Sequence, residues 1–511
     1  LAFHLKGLVF AQPNSDMKNA LLSLLAIKKS VRPMSIARAA ISLIKLEPSL
    51  EKILHFKRKD AQNISWVEVV SELADLPLLI KLMSVSVIPD LSLEKILIEI
   101  RRNLLLTLDG VKETKKINRF QSALAHLCFN NEYVYTQSKD ESKVLDSLIG
   151  TIESILLSGA QPSPKSILCL ASYTPLYKYD WSKLLSSNIY IDEIFTRQVV
   201  EPGIEARLKK NMIILSEITD EVSTSVRKQY EENPYPRWVD LELPAAPASI
   251  AEIVKGKKIK LFDFNICQVE SPSILIAGCG TGQHSIGSAA TYDKSQVLAV
   301  DLSLSSLAHA QRKTKELDIN NVEYMQADIL KLGELGQKFD LIESSGVLHH
   351  MDDPIAGWRS LARCLKNGGL MRIGLYSQLA RRHIEKIQGE IFQKKIAKEG
   401  EEIKLLRQEL INSSEVHHEK ISKNADFYSL STVRDLLFNV QEHRFELLQI
   451  RDYLEAIGLK FCGFELENIP EFDKSYKLES DRYDLEKWDE YARENPDTFA
   501  SMYQFWCQKI S

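Results

Sequence analysis

The sequence predicts an α/β protein with a Rossmann-like sheet core, a large N-terminal α-helical domain and a helical insertion. Residues 274–301 carry the first observation, because they read as a strand, a glycine turn, a helix and a second strand ending on an acidic residue. In the N-terminal region, apolar residues recur at three- and four-residue spacing with few glycines. We therefore predict an N-terminal helical domain (1–225), the sheet core (226–378), a helical insertion or substrate lid (379–445) and a C-terminal helix with strands that complete the sheet (446–511).

The N-terminal helical domain is predicted to consist of several packed helices. Its apolar residues fall on one helix face, as in the run Ala20, Leu21, Leu24 and Leu25. Prolines divide the region into separate helices, with predicted breaks at Pro33, Pro77 and Pro89. We assign dimerisation or the binding of a protein substrate to this domain. Helices that serve only to pack a core are the alternative.

Residues 230–238, with the sequence YEENPYPRW, differ in composition from the sequence on either side. Two prolines flank Tyr235, so they stiffen a non-helical segment and hold its aromatic rings in place. A cation is attracted to the face of an aromatic ring, so rigid aromatic residues suit a charged ligand at the mouth of a site. A plain interdomain linker is the alternative interpretation.

The turn after the first strand is Gly278-Cys279-Gly280-Thr281-Gly282, whose glycines let the backbone turn sharply beside a ligand. The dinucleotide fingerprint G-x-G-x-x-G would have its third glycine where this sequence has Gln283. A pyrophosphate needs a helix N-terminus directed towards it, whereas S-adenosylmethionine (SAM) has no phosphate. Asp301 ends the second strand, where a carboxylate accepts the ribose hydroxyls of an adenosine. The pattern therefore favours SAM over a dinucleotide.

Further apolar runs supply the remaining strands in the order that such a sheet requires. Residues 322–328 read as a third strand that ends on Asp328, for which a helix N-cap is the alternative role. The fourth strand covers residues 339–342 and leads into Glu343-Ser344-Ser345-Gly346. The rest of the sheet is predicted from a helix at 450–457 and from strands at 370–376, 461–464 and 502–509.

Two adjacent histidines, His349 and His350, invite interpretation as a metal site, but the sequence does not support it. Neighbouring residues on a helix point about 100° apart, so both rings would not face one ion. The surrounding sequence has no cysteine, histidine or aspartate at ligand spacing. We therefore predict no metal.

The glycine turn together with Asp301 resembles motif I and the acidic loop of class I SAM-dependent methyltransferases. The YEENPYPRW segment resembles a signature that precedes the core of the rickettsial protein-lysine methyltransferases, which modify outer membrane protein B and act as dimers. Residues 426–445 are similar to the stretch DFYSLSTVRDLLFHVQEHRF of that family, with Asn439 in place of its usual histidine. Together these resemblances cover roughly residues 88–509.

The resemblance implies SAM as the cofactor and S-adenosylhomocysteine as the product. Cofactor contacts are expected from the glycine turn and from the residues after strands two, three and four, namely Gly278, Cys279, Gly280, Thr281, Gly282, Asp301, Leu302, Asp328, Ile329, Ser345 and Gly346. Contacts to the substrate are expected from the YEENPYPRW segment and from the later loops, namely Tyr235, Arg237, His349, Tyr428, His443 and Arg444.

Methyl transfer to a lysine requires that the amine first lose a proton, because only about one lysine in a thousand is uncharged at pH 7.4. A carboxylate or a tyrosine can accept that proton, and we predict Tyr230, Glu343 and Glu442 as unranked candidates. Trp238 is predicted at the reacting centre, because an aromatic mouth stabilises a sulfonium and shields it from water.

Composition limits the class of protein. The 65 lysines and arginines nearly balance the 69 aspartates and glutamates, so we expect neither nucleic acid nor a membrane as partner. The chain lacks an apolar run of about 18 residues, which predicts no transmembrane helix, and no signal peptide is expected. The seven cysteines show no C-x-x-C spacing, which indicates a reducing compartment and predicts a cytoplasmic protein. The [ND]-P-P-[YF] motif of nucleobase methyltransferases is absent after the fourth strand.

The sequence as a whole predicts a SAM-dependent methyltransferase that modifies lysines of an outer-membrane protein and forms a homodimer. The alternative is a methyltransferase acting on a small molecule such as a quinone, a lipid or a polyketide. An apolar acceptor pocket would favour that alternative over an open, acidic cavity. A SAM-binding interaction protein without catalysis is the third hypothesis.

Overall fold

The computed structural model describes residues 2–54, 65–466, 469–499 and 502–510 of the 511-residue chain. It contains two compact units, which we call the helical unit and the sheet unit. The helical unit comprises Leu1–Ile204, Arg237–Glu242 and Lys395–Arg434. The sheet unit comprises Glu205–Pro236, Leu243–Lys394 and Asp435–Ser511. Each unit is therefore assembled from separate stretches of sequence.

The α-helices are numbered in chain order. They are α1 (Ala2–Leu5), α2 (Ser15–Ala26), α3 (Pro33–Ile44), α4 (Pro48–Leu54), α5 (Trp66–Leu73), α6 (Pro77–Val85), α7 (Leu91–Leu106), α8 (Lys115–Asn130), α9 (Lys139–Leu157), α10 (Pro164–Ala171), α11 (Asp192–Phe195), α12 (Glu201–Lys210), α13 (Glu221–Glu232), α14 (Ile250–Gly256), α15 (Gln283–Thr291), α16 (Leu304–Glu316), α17 (Pro354–Cys364), α18 (Arg382–Lys394), α19 (Gly400–Asn412), α20 (Val416–Ser422), α21 (Leu430–Leu437), α22 (Leu447–Ala456), α23 (Ile469–Ser475) and α24 (Leu485–Glu494). Among the described residues, none of these helices has both the length and the apolar character needed to cross a membrane.

Prolines and polar caps decide where several helices begin. Pro33 and Pro77, predicted as breaks, are the first residues of α3 and α6, and Pro164 opens α10 in the same way. A proline suits this position because its φ is already helical and its missing N–H would have no partner there. Asp90 and Ser138 instead cap α7 and α9, by accepting hydrogen bonds from backbone N–H groups of the first turn.

A buried ion pair ties residues 395–434 to the N-terminal helices. Arg407 of α19 donates two hydrogen bonds to the carboxylate of Glu94 on α7, at 2.6 and 2.7 Å, and a third to the carbonyl of Phe427 at 2.7 Å. The side chains of Arg407 and Glu94 are each only 4% exposed. The sequence predicted one helical insertion or substrate lid over residues 379–445. The structure instead divides that stretch between the two units.

The described residues form one eight-stranded sheet in the sheet unit. Its strands are β1 (Ile213–Ile214), β2 (Ser273–Ala277), β3 (Gln296–Asp301), β4 (Val322–Gln326), β5 (Phe339–Ser345), β6 (Leu365–Tyr376), β7 (Leu459–Phe464) and β8 (Met502–Lys509). The spatial order is β1-β4-β3-β2-β5-β6-β8-β7, with β1 to β6 parallel and β8 antiparallel to both β6 and β7. The predicted α/β class is confirmed.

The apolar run of β2 shows why this sheet was predictable. Ile274 and Ile276 pack into the core on one face of the sheet, whereas Leu275 and Ala277 pack into the core on the other. Successive side chains of a strand point to opposite faces, so a strand covered on both faces must be apolar at every position. The loops after such parallel strands then meet at one edge of the sheet.

The sheet unit begins before the boundary predicted at residue 225. Glu231 of α13 accepts hydrogen bonds from the hydroxyl of Ser303 and the backbone N–H of Ser305, both at 3.0 Å, where α16 begins. A carboxylate is stabilised there by the unpaired N–H groups and by the helix dipole. Upstream, the two-residue strand β1 pairs with β4 and was not predicted. Residues 205–236 therefore belong with the sheet.

Candidate active site

A cavity of about 310 Å³ lies in the sheet unit, at the carboxyl ends of the parallel strands. This edge of an open α/β sheet is where ligands bind in such folds. Among the predicted cofactor residues, those that line the cavity are Gly278, Cys279, Gly280, Asp301, Leu302, Asp328, Ile329, Ser345 and Gly346. Thr281 is buried within the turn, and Gly282 is the N-cap of α15.

The glycine turn has a backbone that other residues rarely adopt. The φ angles of Gly278, Gly280 and Gly282 are +76°, +51° and +92°. A Cβ atom on Gly280 would lie 2.9 Å from the carbonyl oxygen of Tyr235, and one on Gly278 would lie 2.3 Å from a methyl of Val347. The turn therefore requires glycine for two reasons: the backbone has positive φ angles, and the surrounding atoms leave no space for a Cβ.

We expect Gly280→Ala to lower the free energy of unfolding by about 1–2 kcal/mol. Alanine is disfavoured in a left-handed backbone conformation, and its Cβ would lie too close to the Tyr235 carbonyl oxygen. Gly287, inside α15, is the matched control, since a Cβ there would meet nothing within 4 Å. Gly287→Ala should stabilise the protein by up to about 1 kcal/mol. Chemical denaturation of both variants checks this, and equal effects would contradict the account of the turn.

The segment before the core is held directly against the glycine turn. The hydroxyl of Thr281 donates a hydrogen bond to the carbonyl of Pro236 at 2.5 Å. Tyr235 and Pro236 both line the cavity, as does Tyr230 at the end of α13. The structure thus brings part of the YEENPYPRW segment to the glycine turn, where the sequence predicted it.

Asp301 lies at the end of β3 and lines the cavity. One carboxylate oxygen accepts a hydrogen bond from the N–H of Gly280 at 2.8 Å, and the other accepts one from the N–H of Ser303 at 2.9 Å. Burial raises the pKa of Asp301, and these backbone hydrogen bonds only partly offset that effect. Each oxygen keeps a lone pair for a ligand hydroxyl.

These residues fit SAM. Gly278 and Gly280 of the turn present backbone without a side chain to the cavity, and the Asp301 carboxylate lines it with acceptor capacity for two ribose hydroxyls. Asp328 combines its two predicted roles, because it lines the cavity and also accepts a hydrogen bond from the N–H of Leu330 at 2.9 Å. The turn, Asp301 and Asp328 would hold the amino-acid end, the ribose and the adenine side of SAM.

A tyrosine and an aspartate form a hydrogen-bonded pair in the same cavity. The hydroxyl of Tyr230 donates to Oδ1 of Asp435 at 2.7 Å, and both residues line the cavity. Asp435 is only 7% exposed, and burial raises the pKa of its carboxyl. The ring of Tyr230 lies 6.4 Å from that of Tyr235. The two tyrosines were predicted from the sequence, whereas Asp435 was not.

Tyr376 forms another wall of the cavity and is held from both faces. His349 stacks on its ring at a centroid distance of 3.7 Å, and the guanidinium of Arg381 lies 3.6 Å from the same ring centre. Two groups at that distance cannot share one face, so the ring is enclosed between them. His349, predicted to contact substrate, is completely buried behind Tyr376 and is not a lining residue. Its neighbour His350 lines the cavity.

Glu343, predicted as a proton acceptor, lies in β5 and is surrounded by hydrogen-bonding and basic side chains. Its carboxylate contacts the ring of His284 at 2.5 Å, the hydroxyl of Ser288 at 3.1 Å and the guanidinium of Arg372 at 3.3 Å. Burial alone would raise the pKa of Glu343, but these partners lower it to about 2. A carboxylate so stabilised is a poor base, and Glu343 does not line the cavity.

Glu442, His443 and Arg444 also lie behind the cavity surface. Glu442 is 5% exposed in its side chain and pairs with Arg381 at 2.7 Å and with Arg444 at 3.0 Å. Burial opposes its ionisation, but the two arginines hold its pKa below the usual range. The backbone N–H of His443 donates a hydrogen bond to the backbone carbonyl of His349 at 2.7 Å. These residues support the cavity wall and do not line the cavity.

Three further predicted residues belong to the helical unit. Arg237 pairs with Glu132 at 3.0 Å and lies over the ring of Phe129 at 4.8 Å. Trp238 is 9% exposed. Tyr428 is buried, with its hydroxyl donating to a backbone carbonyl at 3.0 Å. Arg237, Trp238 and Tyr428 are not among the residues that line the cavity.

Several lining residues were not selected from the sequence. They are Ser223, Val226, Pro236, Gln283, His284, Ser306, Ala327, Val347, His350, Met351, Tyr376, Asp435 and Met502. Some adjoin predicted positions, so a wider window around each motif would have found them. Asp435 had no such signal, because it stands in an amphipathic helix where an aspartate is ordinary.

Residues 274–369 match a family model described as a methyltransferase domain. An uncharacterized protein of Synechococcus is 27% identical over 236 residues, which are 44% of this chain and 57% of that protein. An uncharacterized protein of Rickettsia prowazekii is 40% identical over 88 residues, covering 17% of this chain and 35% of the other. The solved structure of PKMT2 from Rickettsia typhi has 19% identity and a TM-score of 0.39, covering 52% of this chain and 54% of that one.

This chain thus spans little more than half of the Synechococcus protein. The family match coincides with β2 to the start of β6, which is the part of the sheet that carries the glycine turn, Asp301 and Asp328. The predicted cofactor SAM, with S-adenosylhomocysteine as its product, is confirmed.

Proposed function

We propose that this chain, whose core is a class I SAM-dependent methyltransferase, transfers methyl groups to lysine side chains of a protein. One observation supports the amine acceptor most directly. The lining residues, all within the described part of the sheet unit, include Asp301, Asp328 and Asp435 but neither lysine nor arginine. Such a cavity attracts cations and disfavours an anionic acceptor such as a carboxylate or a phosphate.

Two cations must meet in this reaction, which explains the value of an acidic lining. A lysine arrives as an ammonium, because its ordinary pKa is near 10.4. When bound, SAM supplies a methyl group activated by a positively charged sulfur, so the amine lone pair forms the N–C bond while the C–S electron pair passes to sulfur. Carboxylates in a cavity of low dielectric offset the repulsion between the two charges before the amine is deprotonated.

A protein acceptor is supported by the rest of the chain. The helical unit, with Leu1–Ile204 as its largest stretch, contributes none of the described residues that line the cavity. We assign to it the binding of the acceptor chain or of a second copy of this protein. The resemblance of the YEENPYPRW segment to rickettsial protein-lysine methyltransferases suggests an outer-membrane protein as acceptor, modified in the cytoplasm before export.

The proposal is tested with purified protein, SAM carrying a deuterated methyl group, and unfolded outer membrane protein B as the acceptor. Peptide mass spectrometry should find the label on lysine side chains. An acceptor whose lysines have been acetylated beforehand is the matched control and should remain unlabelled. Label on carboxylates, glutamines or hydroxyls, with lysines unmodified, would refute the proposed acceptor chemistry.

A further inference from the structure

We infer that Asp435, oriented by its hydrogen bond from Tyr230, accepts the proton of the acceptor ammonium. This inference rests on the proposed function, because it concerns an acceptor that arrives as a cation. Neither residue belongs to the glycine turn or to the strand ends that hold SAM. Tyr230 lies near the end of α13, and Asp435 lies on α21, so the two residues come from separate helices.

The geometry leaves Asp435 ready for a ligand. Its Oδ1 atom accepts from the Tyr230 hydroxyl at 2.7 Å, and none of the described residues donates a hydrogen bond to Oδ2. The residue lines the cavity although its side chain is almost fully enclosed, so an incoming ammonium would meet a carboxylate with little competing water. The rings of Tyr230 and Tyr235 border the same space, where they can stabilise the cation.

The other carboxylates of the site are occupied elsewhere. Asp301 accepts two backbone hydrogen bonds at the end of β3, and Asp328 caps the turn that begins at Ile329. Glu343 and Glu442, which were predicted as proton acceptors, pair with Arg372 and Arg381, and neither arginine lines the cavity. Among the described residues, the carboxylate of Asp435 accepts a hydrogen bond only from Tyr230, which also lines the cavity.

Charged and titratable groups around Asp435 set its basicity. Burial raises its pKa most, and Glu442 raises it further. His350, the Tyr230 hydroxyl and Arg381 act in the opposite direction, although Arg381 is itself paired with Glu442. The net shift is upward, which makes Asp435 a stronger base than an exposed aspartate.

The proton transfer balances in charge and in bonds. An N–H bond of the ammonium breaks, its electron pair stays on nitrogen, and the proton bonds to Oδ2 of Asp435. A cation and an anion thus become a neutral amine and a neutral carboxylic acid, which removes a pair of opposite charges from the buried site. The amine then has the lone pair that methyl transfer requires, and the acid later returns its proton to water.

The first test compares the wild type with Asp435→Asn, using unfolded outer membrane protein B and SAM. We expect kcat/KM to fall about 100-fold or more, with the Kd for SAM unchanged within about twofold. The wild-type rate should level off above the pKa of Asp435, whereas the variant should keep rising towards the ordinary pKa of lysine. The control Asp452→Asn removes an exposed carboxylate on α22 and should leave the rate unchanged.

Tyr230→Phe gives a second, independent readout in case Asp435→Asn does not fold. Loss of the hydrogen bond should raise the pKa of Asp435, so the acid limb of the pH profile should move to higher pH. An unmoved limb, or Asp435→Asn with wild-type rate and pH profile, would overturn the inference while leaving the proposed function intact. A wild type that methylates no lysine would overturn both.

Discussion

Replacing Arg407 by methionine should lower the free energy of unfolding of the helical unit by about 3–5 kcal/mol. Arg407 and Glu94 are each 4% exposed and share two hydrogen bonds, so the substitution leaves a carboxylate buried without its counter-ion. The loss should be seen as an earlier transition in chemical denaturation of the full chain, monitored by circular dichroism.

Lys116 offers the matched control for this ion pair. It pairs with Asp75 in the same unit, but the two side chains are 54% and 56% exposed. Lys116→Met should therefore cost less than about 1 kcal/mol. Adding Glu94→Gln to Arg407→Met should recover part of the lost stability, because the unpaired charge is then removed. A loss of less than about 1 kcal/mol for Arg407→Met alone would show that the pair does not hold residues 395–434 in place.

Asp301→Ala should weaken the binding of SAM by about 3 kcal/mol, or roughly 150-fold in Kd. The substitution removes the acceptor for both ribose hydroxyls and also the partner of the Gly280 N–H in the glycine turn. Asp301→Asn keeps one oxygen acceptor and should give an intermediate loss. Calorimetric titration with SAM measures both variants.

Glu323 on the neighbouring strand β4 is the control for Asp301. Its side chain is exposed and does not line the cavity, so Glu323→Ala should bind SAM within about twofold of the wild type. Melting temperatures of the variants separate lost binding from lost folding. An unchanged affinity in Asp301→Ala would remove Asp301 from the cofactor site.

The sheet was predictable because its signals are local. β8 has the predicted bounds 502–509, and the second strand ends on Asp301 as expected. β2 contains an apolar run covered on both faces, which leaves a pattern in the sequence itself. The two residues of β1 are too few to form any pattern.

The division into units was not predictable, because it depends on contacts between residues that are far apart in the sequence. Arg407 and Glu94 are 313 positions apart, and a charged helix gives no local sign that one of its arginines is buried. A charged run usually forms a solvated face, and Arg407 is an exception because its side chain is only 4% exposed. The unit boundaries depend on such distant pairings and not on composition.

The same contrast holds within the site. The glycine turn and Asp301 adjoin predicted strands, so their position could be inferred from the sequence. Tyr230 and Asp435 are 205 positions apart, and only folding brings them together. Glu343 was a reasonable candidate from its place after the fourth strand, but the sequence could not show that Arg372 neutralises it. The sequence therefore predicts which residues lie at the end of a strand. It does not predict which side chains they pair with there.

The proposed transfer of a SAM-derived methyl group to protein amines can be measured directly. Purified protein is incubated with a cell lysate and SAM labelled in its methyl group, and the products are resolved into protein and small-molecule fractions. We predict label in the protein fraction that survives mild base and appears as methyl-lysine after hydrolysis. Label confined to small molecules, or released from protein by mild base as from a methyl ester, would contradict the account.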